Sequence, residues 1–96
     1  MNLPAHVLSG IRLYAKKYHI ERVLLFGSRA RGDNRERSDI DLAVAGGDAV
    51  RFALAVDEKI PTLLMFDVVD LQGPVQKELL DSIRREGIEI YPAVSV

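Results

Sequence analysis

The sequence predicts an α/β domain in which helices pack on a small sheet. Two observations carry this prediction. Segments of helical and strand character follow one another in the order helix, strand, loop, strand, helix, strand, helix, strand, with Gly27, Gly46-Gly47, Pro61 and Gly87 standing between them. The chain has 96 residues, enough for one core and too few for a second lobe, so residues 1–96 read as one domain.

The elements are justified in turn. From Asn2 to Tyr18, Leu3, Val7, Leu8, Ile11, Ala15 and Tyr18 recur at helical spacing, and Asn2 and Pro4 are placed to start that helix. Val23-Leu24-Leu25-Phe26 is a short continuous apolar run that Gly27 stops, the pattern of a buried strand. Asn34 to Ser38 is polar, and Asp39 to Ala45 resumes as a strand that Gly46-Gly47 breaks. Asp48 can cap a helix carrying Val50, Phe52, Ala53, Leu54 and Val56, which ends by Ile60 because Pro61 follows. Thr62 to Val69 is β-rich and uninterrupted. Gln72-Gly73-Pro74 opens a helix with Val75, Leu79, Leu80 and Ile83, Gly87 stops it, and Ile88 to Tyr91 can make a last short strand. The polar link between the first two strands, about a dozen residues, has room for a short helix and leaves antiparallel and parallel pairing both open.

Composition narrows the function classes. Apolar residues make up 48% and charged residues 28%, an ordinary globular balance. Thirteen basic against fourteen acidic side chains give a net charge of −1, so no global field draws in a polyanion and general nucleic-acid binding is a poor expectation. The absence of cysteine excludes a disulfide framework, a thiolate metal site and a cysteine nucleophile. With no apolar run near 18 residues and no signal-peptide layout, the chain reads as soluble and cytoplasmic.

The acids carry the chemistry. In Asp39-Ile40-Asp41-Leu42, strand alternation sends both aspartates from one face, roughly 7 Å apart at Cα, and Ile40, Leu42 and Val44 from the other. Taken alone, most such patterns are a turn followed by a solvated strand residue. Two aspartates on one strand face repel unless a cation lies between them, however, and magnesium prefers oxygen ligands shared with substrate phosphates. Asp67 interrupts Leu63-Leu64-Met65-Phe66 and Val68-Val69, and an acid in so apolar a strand is costly unless paired or coordinating, which makes it the third carboxylate. Asp70 falls on the opposite face and reads as a solvated residue or a cap.

The stretch FGSRARGD, residues 26–33, hangs from the end of the first strand. Its glycines stand five apart, but Asp33-Asn34 follows in place of Lys-Ser/Thr, so it is not a Walker loop. The tripeptide Arg31-Gly32-Asp33 is too short to imply adhesion. There remains a strand ending in Gly27-Ser28, where glycine lets the backbone approach phosphate oxygens and serine offers a hydroxyl and an amide, with Arg29 and Arg31 as fork-shaped donors. A plain loop with solvated arginines explains a lone Gly-Ser equally well; the acids downstream shift the balance.

Gly27-Ser28, then ten residues, then Asp39-Ile40-Asp41-Leu42, then Phe66-Asp67-Val68 resembles the nucleotidyltransferases of the DNA polymerase β superfamily. The string GSRARGDNRERSDIDLAV resembles its minimal nucleotidyltransferase branch, whose members are often small antitoxins paired with a HEPN-domain toxin. The resemblance implies a mixed sheet with helices, two magnesium ions held by Asp39, Asp41 and Asp67, and ATP whose β- and γ-phosphates rest on Gly27 and Ser28. It implies that an acceptor hydroxyl attacks the α-phosphate and pyrophosphate leaves, with a tyrosine of a HEPN toxin partner receiving AMP. Arg29 and Arg31 are then assigned to triphosphate or partner contacts. Transfer to a small molecule such as an antibiotic, with a companion subunit, and neutralisation of a partner by simple occlusion are the alternatives. A chain this small and apolar is also compatible with a homo-oligomeric pairing surface.

Other residues are assigned no chemistry. His6 and His19 flank the first helix without an acid at ligand spacing. Tyr14, Tyr18 and Tyr91 are explained by packing, the charges at Glu58-Lys59 and Arg84-Arg85-Glu86 by solvated helix ends, and Arg35 and Arg37 by a solvated loop.

Overall fold

A computed structural model describes residues 1–92. Four helices and four strands alternate as α1 (Ala5–Lys17), β1 (Arg22–Phe26), α2 (Ser28–Arg31), β2 (Ile40–Ala45), α3 (Ala49–Lys59), β3 (Phe66–Asp70), α4 (Lys77–Glu86) and β4 (Ile88–Tyr91). The strands form one mixed sheet in the order β3-β2-β1-β4: β1 runs antiparallel to β2 and β4, and β2 runs parallel to β3. The pairing that the sequence left open is thus antiparallel, and the polar link contains the short α2.

Strand alternation divides the core into two layers. Val23 and Leu25 of β1 and Ile40, Leu42 and Val44 of β2 meet Val7, Ile11 and Ala15 of α1 and Phe52 and Val56 of α3. Each such large apolar side chain contributes roughly 1.5–3 kcal/mol when fully buried. On the other face Phe26 and Ala43 pack with Ile83 of α4, joined by Leu24, Val69, Leu71 and Leu79. Phe26 is the register partner of Asp41, and Ala43 follows Asp41 by two residues, so the acids share the face that α4 covers. The α4 contacts lie on Leu24, Phe26, Ala43 and Val69; beyond them the acid end of that face is open.

Several boundaries depart from expectation for identifiable reasons. Helix α1 starts at Ala5 with Pro4 as its cap residue, because Asn2 is engaged elsewhere: its N–H donates to the Arg29 carbonyl and its amide to Asn34. Asp48 caps α3 as expected, its carboxylate accepting the Arg51 N–H at 3.0 Å. Helix α4 begins only at Lys77, after Gly73-Pro74, and ends at Gly87 as anticipated. The β-rich run from Thr62 is a strand only from Phe66, since β2 begins at Ile40, the partner of Phe66, and offers nothing earlier to pair with. No helix among the described residues is long and apolar enough to cross a membrane.

Candidate active site

Parallel pairing of β2 with β3 sets Asp41 directly beside Asp67. Asp39 precedes Asp41 by two residues, so alternation brings it to the same face, while Ile40 and Leu42 are fully buried beneath. Asp39 and Asp67 are exposed and Asp41 is half-buried. Burial, then the charge of Asp67, then that of Asp39, raise the Asp41 carboxyl above its ordinary value, and nearby Arg31 partly offsets them. The three carboxylates thus share one face of the sheet, and the two exposed ones both act on the innermost.

The reasoning for Asp67 changes. It stands on an edge strand with its side chain in solvent, so no burial cost singles it out; its register with Asp41 does.

Antiparallel pairing of β1 with β2 delivers Gly27 to the same place. Phe26 is the partner of Asp41, and Gly27 turns over that carboxylate with φ 75° and ψ −157°, a conformation essentially confined to glycine. Any Cβ here would press into Asp41 Oδ2 and lie 3.2 Å from Asp41 Cγ. Ser28 then opens α2; the Gly27 carbonyl accepts the N–H groups of Ala30 and Arg31, both at 3.1 Å, leaving the first N–H groups of that turn without intrahelical acceptors. Gly32 closes the turn in the left-handed region at φ 87°.

The two arginines part company. Arg29 was assigned to phosphate or partner, yet it is only 3% exposed and turned inward. Its Nε donates to the Ser38 carbonyl at 2.9 Å, and Nη1 and Nη2 donate to the Asn2 and Glu36 carbonyls, each at 3.1 Å. It fastens the loop that leads to Asp39 and is not available to a ligand. Arg31 is half-exposed at the site, paired with Glu86 at 2.9 Å and Asp33 at 3.1 Å. Its hydrogen bonds to Asp33 and then Glu86 raise its pKa further above the ordinary arginine value. Sequence reading missed Asp33, two residues on in the same loop, and Glu86, which only the approach of the α4 C-terminus to α2 reveals.

An all-carboxylate oxygen set suits a hard divalent ion. Among the described residues no group of three His, Cys, Asp or Glu side chains is gathered into a metal cage by itself. Magnesium binds through one or two carboxylates and takes its remaining ligands from substrate phosphates and water. Two surface cavities among the described residues lie away from the acids. One of about 480 Å³ between Arg22, Leu24, Ile83 and Arg84, and another of about 490 Å³ by Val69 and Pro74, are at the far end of the strands and contain none of the three aspartates. Neither of these two cavities includes the open carboxylate face.

A profile of the family described as "Polymerase beta, Nucleotidyltransferase" matches residues 10–93. A protein of Methanocaldococcus jannaschii named as a protein adenylyltransferase is 37% identical over 71 residues, covering 72% of this chain and 69% of that protein. A solved toxin–antitoxin complex with AMP-PNP contains a chain similar in fold, with TM-score 0.70 and 22% identity over 88% of this chain and 72% of that one. The complex of a tri-AMPylated Shewanella oneidensis HEPN toxin with its MNT antitoxin gives TM-score 0.62 and 20% identity, over 88% of this chain and 69% of that one.

Proposed function

The chain belongs to the polymerase β nucleotidyltransferase family, and within it we propose that this enzyme transfers AMP from ATP to a hydroxyl of a partner protein. We take the acceptor to be a tyrosine of a HEPN toxin, which makes this chain the antitoxin. One observation carries the reading: Asp41 and Asp67 stand side by side in parallel register, with Asp39 on the same face and Gly27 seated against Asp41. The names of the relatives agree with it, one an adenylyltransferase and another an MNT antitoxin bound to an AMPylated HEPN toxin.

The residues divide the work. Asp39, Asp41 and Asp67 would hold two magnesium ions; such ions lower the pKa of an attacking hydroxyl, orient the reacting phosphate and neutralise the leaving oxygens. Gly27, lacking a side chain, leaves the ground over Asp41 open, so a triphosphate can approach the Ser28 hydroxyl and the first N–H groups of α2. Arg31 stands beside the same face and offers its guanidinium to a phosphate oxygen. Arg29 has no part in binding; it fixes the loop before Asp39. The acceptor oxygen forms a bond to the α-phosphorus as the bond to pyrophosphate breaks, and the hydroxyl proton passes to exposed Asp67 or to water.

The test is label transfer. Wild-type protein with a co-purified HEPN-domain partner, magnesium and α-labelled ATP is expected to label the partner. Asp39→Asn and Asp41→Asn are expected to abolish the signal; labelling that persists in both would refute the assignment.

A further inference from the structure

The row of side chains that carries Asp67 continues beyond the sheet. Leu64, Phe66 and Val68 pack against the α1/α3 layer. Alternation, carried back one residue from β3, therefore places Met65 and Asp67 on the opposite, acid-bearing side, and Leu63 lies in the bend just before them. Asp67 is a reasonable occupant of that side, but Leu63 is 95% exposed and Met65 is 62% exposed. The Met65 carbonyl accepts the Ile40 N–H at 2.8 Å, which fixes Met65 alongside Asp39. Two apolar side chains thus stand in water just before β3, one of them, Met65, beside Asp39, where polar residues would satisfy folding equally well.

Their position has a mechanistic meaning. Gly27 and Ser28 lie on the β1 side of Asp41, so that side holds the triphosphate and its leaving pyrophosphate. In phosphoryl transfer the attacking and leaving oxygens are roughly in line, so the acceptor must arrive from the other side, over β3. Strand β3 is an edge of the sheet, and its outer backbone pairs with no strand among the described residues. Such an edge offers backbone hydrogen bonds to an extended peptide laid beside it, and Met65, with Leu63 in the bend before it, offers that peptide apolar contact. With two magnesium ions and a triphosphate in place, the three carboxylates still leave this face net negative, which disfavours an acidic visitor.

We propose that Leu63 and Met65, with the free edge of β3, form the acceptor-docking surface: they seat an extended, non-acidic protein segment that carries its accepting hydroxyl beside an apolar or aromatic side chain. The proposal rests on the nucleotidyltransferase reading and adds where, and on what chemistry, the acceptor is recognised.

The experiment uses fluorescent tyrosine peptides whose neighbours at two-residue spacing are leucine or phenylalanine, serine, or glutamate, with the full chain, magnesium and a non-hydrolysable ATP analogue. Wild-type protein is expected to bind the apolar-flanked peptide in preference to the others. The double substitution Leu63→Asp, Met65→Asp, and the milder Leu63→Ser, Met65→Thr, are expected to weaken that binding about tenfold or more for the charged pair. Affinity for the ATP analogue, measured by calorimetry, should not change. Equal binding of all peptides, no binding by the wild type, or binding that ignores both double variants would overturn the surface. Label transfer from ATP to the same peptides separates the two readings. Binding that depends on Leu63 and Met65 without any transfer supports the surface and counts against the transferase; transfer indifferent to both variants does the reverse.

Discussion

Substituting Gly27 tests whether the loop is glycine for its conformation alone or for its closeness to Asp41. In Gly27→Ala two costs combine. The backbone conformation at φ 75° and ψ −157° is strained for any other residue by about 1–3 kcal/mol. For a domain of this size that corresponds to a fall in melting temperature of about 5–20 °C. The new methyl also forces Asp41 Oδ2 to retreat by about 1 Å to ordinary contact, and a displacement of that size at a catalytic group is enough to lower rate about a hundredfold. Gly32→Ala is the matched control: φ is again positive, at 87°, but nothing lies within 4 Å of the added carbon. Thermal melts and label transfer from α-labelled ATP should therefore diverge, with both variants melting lower and only Gly27→Ala losing transfer beyond what its residual folded fraction explains. Equal activity of the two folded variants would refute the argument that Gly27 is there to clear the ground over Asp41.

Three further outcomes are expected. Because burial, Asp67 and Asp39 raise the Asp41 pKa, the ionised carboxylate opposes folding; that penalty is full above the folded-state value and fades as pH falls through it towards the ordinary one. In EDTA, Asp41→Asn should thus melt higher than wild type at neutral pH, the gap should close on acidification, and added magnesium should raise the wild type more than the variant; a constant gap across pH would count against this account. Arg29→Lys, whose single ammonium cannot serve three carbonyls, should cost about 3 kcal/mol in urea unfolding, as two charge-assisted hydrogen bonds are lost; a normal unfolding midpoint with weakened ATP binding would instead restore it to the phosphate site. Arg31→Ala should weaken ATP binding by calorimetry with little change in melting, and Glu86→Gln should give a smaller change in the same direction, since Glu86 only holds the guanidinium in place.

Much of the site was legible because it is local. A strand's alternation is a property of neighbouring residues, so Asp39 and Asp41 could be placed on one face with Ile40 and Leu42 beneath, as they are. The element order followed from periodicity and from the breaks at Gly27, Gly46-Gly47, Pro61 and Gly87. What depends on distant parts of the chain was not legible. Arg29 looks like a donor for phosphate when only its neighbours are read, and its inward turn is set by carbonyls at Asn2, Glu36 and Ser38. Glu86 lies 55 residues from the arginine it holds. Asp67 was found on an argument about burial that its edge position removes; register with Asp41, a tertiary fact, is what qualifies it.

The segment before β3 shows how a mistaken boundary can still contain information. A run apolar at both parities is the pattern of a strand buried on both faces, and Leu63 through Phe66 read that way. The fold buries one parity only: Leu64 and Phe66 reach the core, and no strand ladder forms before Phe66 because β2 has not yet begun. Folding therefore accounts for half of the apolar residues in this run. Leu63 and Met65 are left over in solvent, Met65 at the parity of Asp67 and Leu63 in the bend before it. A second layer that the chain does not itself supply would account for them, and the open edge of β3 is where an extended segment of another protein could provide it.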